Sequence, residues 1–337
     1  MAITGDRNED LRPQVTIVTA LHPAHFVPST AMVEFTNRSI RRMQGMMHCR
    51  QILCCDGDLP SNSERKRTDY ERFKARLATL CRTDPFFYDT HILQRPPKID
   101  ASRRNTLAYN LVQAFESGLI ETPFVFLHQP DRFCSPDVDT CGIIDCLRRE
   151  REVAIIHLME NNLILGVDPE TEWYRAEWLA EPRRYGLPLW KTGSYTDHEH
   201  FGRVDYYRDV VFAYTAAHCC PPHHCTMESI LPRSQEGIYL YLPPDGPLPH
   251  VNLGTRAHWM PDEPGGSGVL ASDLKLLYHF GIDPGPHCEG LVDVTVSADD
   301  QAEYETFLVG RMGHMRVTRD QQSVGQSRAP EWANRWK

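Results

Sequence analysis

No run of apolar residues in this chain approaches the ~18–20 that a membrane-spanning helix requires, so no transmembrane segment is expected. The first residues, MAITGDRNEDLRPQ, hold no apolar h-region, and no secretory signal is expected either. Excess positive charge is missing too. With 36 Lys and Arg against 45 Asp and Glu the net charge is −9, which gives no support to nucleic-acid binding. No G-x-G-x-x-G follows the first apolar run, which speaks against a dinucleotide-dependent oxidoreductase. The 11 cysteines are odd in number and lack framework spacing, and Cys54, Cys55 and Cys146 lie in apolar patterns, as small buried hydrophobes do. A reduced, cytoplasmic setting is the expectation.

What is present is ordinary globular material. At 41% hydrophobic and 24% charged, 337 residues suffice for one large domain or two modest ones. VTIVTA (15–20) reads as a strand, and Ser29 and Thr30 offer N-caps for a helix to about Met43, with Met32, Phe35 or Thr36, Ile40 and Met43 on its apolar side. QILCC (51–55) is a second strand, ending in Asp56-Gly57-Asp58. Residues 64–81 place Tyr70, Phe73, Leu77 and Leu80 at helical spacing on a charged helix. PFFYD (85–89) reads as a third strand, and 103–117 as a helix with Arg103 and Arg104 at its start.

A fourth apolar run, Phe124 to Leu127, stops abruptly at His128-Gln129-Pro130-Asp131. A helix over 137–151 and a strand over 153–158 come next. Strand and helix in alternation imply a parallel sheet with helices on both faces. Beyond residue 158 the regularity breaks, leaving a helix at 203–217, a strand within GIYLYLPPDG (237–246) and a polar tail over 318–337.

Ligands of open α/β sheets bind at the carboxyl ends of the strands. Asp56 and Asp131 end two separate strands, so a parallel sheet brings both to one edge. Carboxylates there suit Mg²⁺, which takes water and substrate phosphate as its other ligands. Each also reads blandly, Asp56-Gly57 as a turn and Asp131 as a helix cap. Arg103 and Arg104 fork well onto phosphate oxygens, or stand as a solvated pair. In AAHCCPPHHCTMES (216–229), Cys and His crowd together in the manner of zinc ligands, but no second knuckle is visible. Glu228, just after, is a helix cap or a general base. His250 and Arg256 flank a turn at Gly254.

In their order these motifs resemble a divergent branch of the family-2-type glycosyltransferases. The resemblance covers about residues 15 to 260: Val15–Ala20 leading to Pro28-Ser29-Thr30-Ala31, then Asp56-Gly57, then Arg103 or Arg104, then Thr122-Pro123 and the strand into His128-Gln129-Pro130-Asp131. It continues through Asp197-His198-Glu199-His200, Tyr206-Tyr207-Arg208, Met227-Glu228 and the His250-to-Arg256 loop. It implies a GT-A-like nucleotide-diphospho-sugar transferase fold, an α/β domain with a central, mostly parallel sheet flanked by helices. Residues 10–135 would be the nucleotide-sugar-binding half and 136–295 the acceptor half.

The partners implied are a nucleotide-diphospho-sugar and a hydroxyl acceptor (a glycan, a lipid-linked acceptor or a small molecule). By the resemblance, Asp56, Gly57, Arg103, Arg104, His128, Gln129, Asp131 and Arg256 touch the donor, and His198 and His200 lie toward the acceptor. Asp131 and His250 hold Mn²⁺ or Mg²⁺, and Glu228 is the base of an inverting displacement. One departure stands out: Gln129 replaces the first aspartate of the Asp-x-Asp element. Two rival readings are a non-enzymatic scaffold on the same fold and a zinc-stabilised binding protein centred on 218–225.

Overall fold

A computed structural model describes residues 10–21, 30–57, 63–94, 106–158, 185–191, 195–196, 198–214, 237–241 and 250–252. β1 (Val15–Leu21) is buried along its whole length, as β-branched residues at the centre of a two-faced sheet should be. α1 (Ala31–Arg42) follows Thr30, whose hydroxyl donates to the Glu34 carboxylate at 2.7 Å instead of accepting from a backbone amide. β2 (Arg50–Cys55) leads to α2 (Glu64–Thr83), which buries Tyr70, Phe73, Leu77 and Leu80 and is capped by Ser63.

The expected third strand at 85–89 is corrected by the structure. Pro85–Phe87 forms a 3₁₀ turn, and β3 (Thr90–Gln94) begins only after it. Pro85 has no N–H to give a ladder, the Asp84 carboxylate accepts from the Phe86 amide at 2.9 Å, and Asp89 takes φ 44°. Aromatic content favoured a strand, but the local capping chemistry won.

α3 (Thr106–Glu116), β4 (Phe124–His128), β5 (Arg132–Cys134), α4 (Thr140–Arg149) and β6 (Ile155–Leu158) come next along the chain. Then come β7 (Leu189–Lys191), β8 (His200–Arg203), α5 (Val204–Tyr206) running directly into a π-helix (Tyr207–Phe212), β9 (Ile238–Tyr241) and β10 (His250–Asn252). The main sheet has eight strands in the order β3-β2-β1-β4-β8-β6-β9-β7, and β5 pairs separately with β10.

β3, β2, β1 and β4 are mutually parallel, as the strand–helix alternation predicts, and β6 with β9 is parallel too. β8 runs antiparallel between β4 and β6, and β7 antiparallel to β9. Neither β7 nor β8 was expected, because strands of three or four residues leave too few alternations to read.

Each strand sends alternate residues into two cores, so helices cover both faces. On one face Ile17, Phe126 and Phe201 pack with Ile40, Ile144 and Leu147 of α1 and α4. On the other, Val18, Val125 and Leu127 meet Leu111 and Phe115 of α3, together with Tyr207 and Val211. Gly202 in β8 allows that second contact, since a Cβ there would lie 2.8 Å from the Tyr207 ring. Burial pushes the Cys55 and Cys146 thiols up to about 12, in keeping with their reading as small hydrophobes. No helix among the described residues is long and apolar enough to cross a membrane.

Candidate functional site

The register decides what meets at the carboxyl edge. β1 lies between β2 and β4, pairing Leu21 with Cys55 on one side and Thr19 with His128 on the other. Asp56 directly follows β2, and the Gln129-Pro130-Asp131 turn directly follows β4. β2 and β4 are the two parallel neighbours of β1, so both segments leave the sheet at its carboxyl edge. Asp56 is 4% exposed, and its amide donates to the Leu21 carbonyl at 2.8 Å. The Asp131 side chain is 14% exposed, so a ligand can reach it.

The Gln129-Pro130-Asp131 turn between β4 and β5 is gripped from three sides. The Gln129 amide donates to Glu199 Oε1 at 2.8 Å. Thr36 of α1 donates to the Pro130 carbonyl at 3.1 Å. His128 Nε2 bonds the Arg132 carbonyl at 2.9 Å, and since a carbonyl only accepts, Nε2 carries the proton.

That proton fixes a longer chain. His128 Nδ1 then accepts from the Thr19 hydroxyl (3.3 Å), which accepts from Gln51 Nε2 (3.3 Å), whose Oε1 accepts from Arg41 (3.2 Å). Arg41 is 1% exposed and also donates to the Cys49, Phe86 and Tyr88 carbonyls, tying α1 to β2 and the start of β3. Burial pulls its guanidinium down to about 10. Both nitrogens of His128 are thus spent inside the protein. It positions the turn and has no nitrogen left for a donor, which corrects its expected role as a donor contact.

Glu199 was quoted within the motif but given no role by the sequence; the signal was a carboxylate between two histidines. It is fully buried just before β8, and its Oε2 lies 3.9 Å from Arg132 Nε. Burial outweighs that distant guanidinium and raises the Glu199 carboxyl to about 8. Arg132 Nε is 3.7 Å from Asp131 Oδ1, so the accessible aspartate balances its charge.

His200 faces the opposite side of the sheet and is also fully buried. Its Nδ1 donates to the His198 carbonyl, its Nε2 accepts from the Tyr207 hydroxyl, and Tyr195 lies 3.3 Å from that hydroxyl. The ring is therefore a buried brace for the His198-Glu199 turn, a correction to its expected place on the acceptor side. His198 is half-buried at the edge itself.

β10 pairs His250 with Cys134 and Asn252 with Arg132. Asn252 is thus the β10 residue level with the turn, while His250 lies about 10 Å further along the strand from the level of Asp131. The structure does not bring those two expected metal ligands together. Among the described residues no group of three His, Cys, Asp or Glu is placed to hold a metal ion. Gly57 directly follows Asp56 at the edge. Glu228, Arg103, Arg104, Arg256 and the Cys/His cluster 218–225 lie outside the described residues.

Buried groups set the pH response. His128 and His200 are held neutral, lowered from 6.5 to about 4 by burial. The unfolded chain binds two protons there that the fold refuses, so stability falls as pH drops from 6.5 toward 4. Glu199 acts oppositely: raised from 4.5 to about 8, it contributes stability that is present below 4.5 and lost as pH rises to 8. Two imidazoles outweigh one carboxyl below 6.5, and above it the carboxyl acts alone. Urea midpoints measured at about pH 5, 6.5 and 8 are therefore expected to peak at the middle value. A steady rise to pH 8 would show Glu199 ionised in the fold.

The fold defines an α/β protein with Asp56 and the Gln129-Pro130-Asp131 turn at the carboxyl edge of its sheet. No family model matches the chain, and no curated protein does. Among solved structures it is similar to the galactosyltransferase LgtC in complex with donor and acceptor sugar analogs, at 10% identity and TM-score 0.46, over 82% of this chain and 99% of that one. An active-site mutant of LgtC gives 10% and 0.43, over 79% and 95%. S. aureus TarS gives 8% and 0.39, over 73% of this chain and 37% of that one. At such identities and scores the likeness carries no argument for what this chain does.

Proposed function

We propose that this protein transfers a sugar from a nucleotide-diphospho-sugar to a hydroxyl acceptor. One observation supports the reading: β2 and β4 run parallel on either side of β1, so Asp56 and the Gln129-Pro130-Asp131 turn that follow them leave the sheet at the same edge. A nucleotide laid across that edge meets Asp56 at its base or ribose and Asp131 near its diphosphate. The residue order that resembles family-2-type glycosyltransferases points the same way.

The donor set at Asp131 suits a hard cation. A single reachable carboxylate is what Mg²⁺ or Mn²⁺ needs when water and diphosphate oxygens complete its shell. Such an ion supplies charge neutralisation on the leaving diphosphate. The protein holds Asp131 still by gripping the main chain around it, and Arg132 keeps a fixed positive charge behind the carboxylate. In the displacement the acceptor oxygen bonds to the anomeric carbon as the bond to the diphosphate oxygen breaks. The diphosphate leaves with the electron pair and the acceptor's proton passes to a carboxylate. Glu228 is our candidate for that base, on the resemblance alone.

The test is a thermal-shift panel of UDP-, GDP-, CDP- and dTDP-sugars with and without Mn²⁺. At saturation, a donor at 100 times its Kd adds about 2.7 kcal/mol of stability. That corresponds to a rise of several degrees, expected for one nucleotide class and enlarged by the metal. A flat panel would leave the scaffold reading in its place.

A further inference from the structure

The opposite edge of the sheet holds a second site. A cavity of about 700 Å³ opens at the amino end of β4, between the end of α4, the end of β8 and the π-helix. Its size lies within the range of small-molecule pockets. Pro123 supplies exposed apolar surface, and the core residues Phe124, Leu147 and Val204 lie buried beneath it. Around the rim stand four arginines: Arg148, Arg151, Arg203 and Arg208. Such a gathering is notable in a chain of net charge −9.

The ion pairs sort these four. Arg203 forks onto Asp205, Nε to Oδ1 at 3.0 Å and Nη2 to Oδ2 at 2.9 Å, which occupies both oxygens. Arg148 is held by Asp145 at 2.9 Å and by Gln14. Glu121, a second lining acid, pairs outward with Arg50 at 3.0 Å. Arg151 and Arg208 are exposed, and neither makes a direct ion pair among the described residues, although Arg151 is near enough to help lower the Asp205 carboxyl. Asp209 is the remaining lining acid.

We propose that this cavity binds a small phosphate monoester with an apolar body, its phosphate on Arg151 and Arg208 and its body against Pro123. Guanidinium forks match phosphate oxygens, and the exposed proline ring favours an ester over the free inorganic anion. The site is distinct from the carboxyl edge. β4 runs five residues between them, roughly 17 Å.

Phenyl phosphate is the probe, titrated calorimetrically into the full chain beside inorganic phosphate and phenol. The expected result is saturable one-to-one binding of phenyl phosphate, tighter than either fragment. An Arg151→Gln/Arg208→Gln double variant should weaken it by at least ~10-fold, since a charge-assisted contact is worth about a decade. Both arginines are exposed, so the variant is expected to keep the parent's circular dichroism and unfolding midpoint. Asp131→Ala should leave the binding unchanged, which separates this site from the donor crevice. No saturation up to about 10 mM, or equal affinity in the double variant, would overturn the proposal. Loss of binding in Asp131→Ala with retention in the double variant would overturn it equally, by placing the phosphate at the other edge.

Discussion

Asp131→Ala is expected to reduce sugar transfer on the order of 10³-fold or more, measured with whichever nucleotide sugar the thermal-shift panel selects. The size follows from what the carboxylate is asked to do. A cation on the leaving diphosphate stabilises the transition state by several kcal/mol, and each 1.4 kcal/mol is about tenfold in rate. The loss should appear in kcat as well as KM, and Mn²⁺ should no longer enlarge the donor's thermal shift. The fold should survive. Asp131 balances Arg132 from 3.7 Å, but Glu199 stands 3.9 Å from the same nitrogen and holds a proton in reserve. With Asp131 gone, Glu199 can ionise and take over as counter-ion, so its carboxyl should fall below about 8 in the variant. Retained turnover in a folded Asp131→Ala protein would remove the metal from the proposal.

Glu199→Ala should have the largest effect on stability. It takes the acceptor from the Gln129 amide and leaves a hole beside a buried guanidinium. Leaving such a buried donor unsatisfied costs about 1–3 kcal/mol, and the cavity adds to it. Glu199→Gln should cost less than about 1 kcal/mol near pH 7, because an amide oxygen can still accept and a carboxyl that holds its proton is also uncharged. Above pH 8 the order should reverse and the Gln variant exceed the parent, since only the parent then carries an extra buried charge. Denaturant midpoints for the three proteins across pH decide the matter. Equal destabilisation by Ala and Gln would mean that Glu199 is ionised at neutrality.

β2, β1 and β4 were legible because each is an apolar run in an alternation of strand and patterned helix, whereas β3 was expected over the turn that precedes it. Asp56 and Asp131 were expected at the carboxyl edge on the same ground, since a parallel sheet sends the ends of its strands to one side. The chain beyond residue 158 was much harder to read. β8 is four residues with a glycine inside it, and its reversal depends on a pairing with β4 seventy-odd residues upstream. That reversal carries Glu199 to the ligand edge, so a carboxylate at the start of a strand joins acids at the ends of others. A rule that looks only at strand ends passes over it. His128 and His200 were misjudged because polar residues beside an expected site invite a binding role. Only coordinates show that their nitrogens are already committed.

The clamp on the Gln129-Pro130-Asp131 turn acts on the main chain, through the Gln129 amide and the Pro130 and Arg132 carbonyls. Main-chain contacts survive a change of side chains they do not involve, so the path of this turn answers to Glu199, Thr36 and His128, three residues brought from the start of β8, from α1 and from β4.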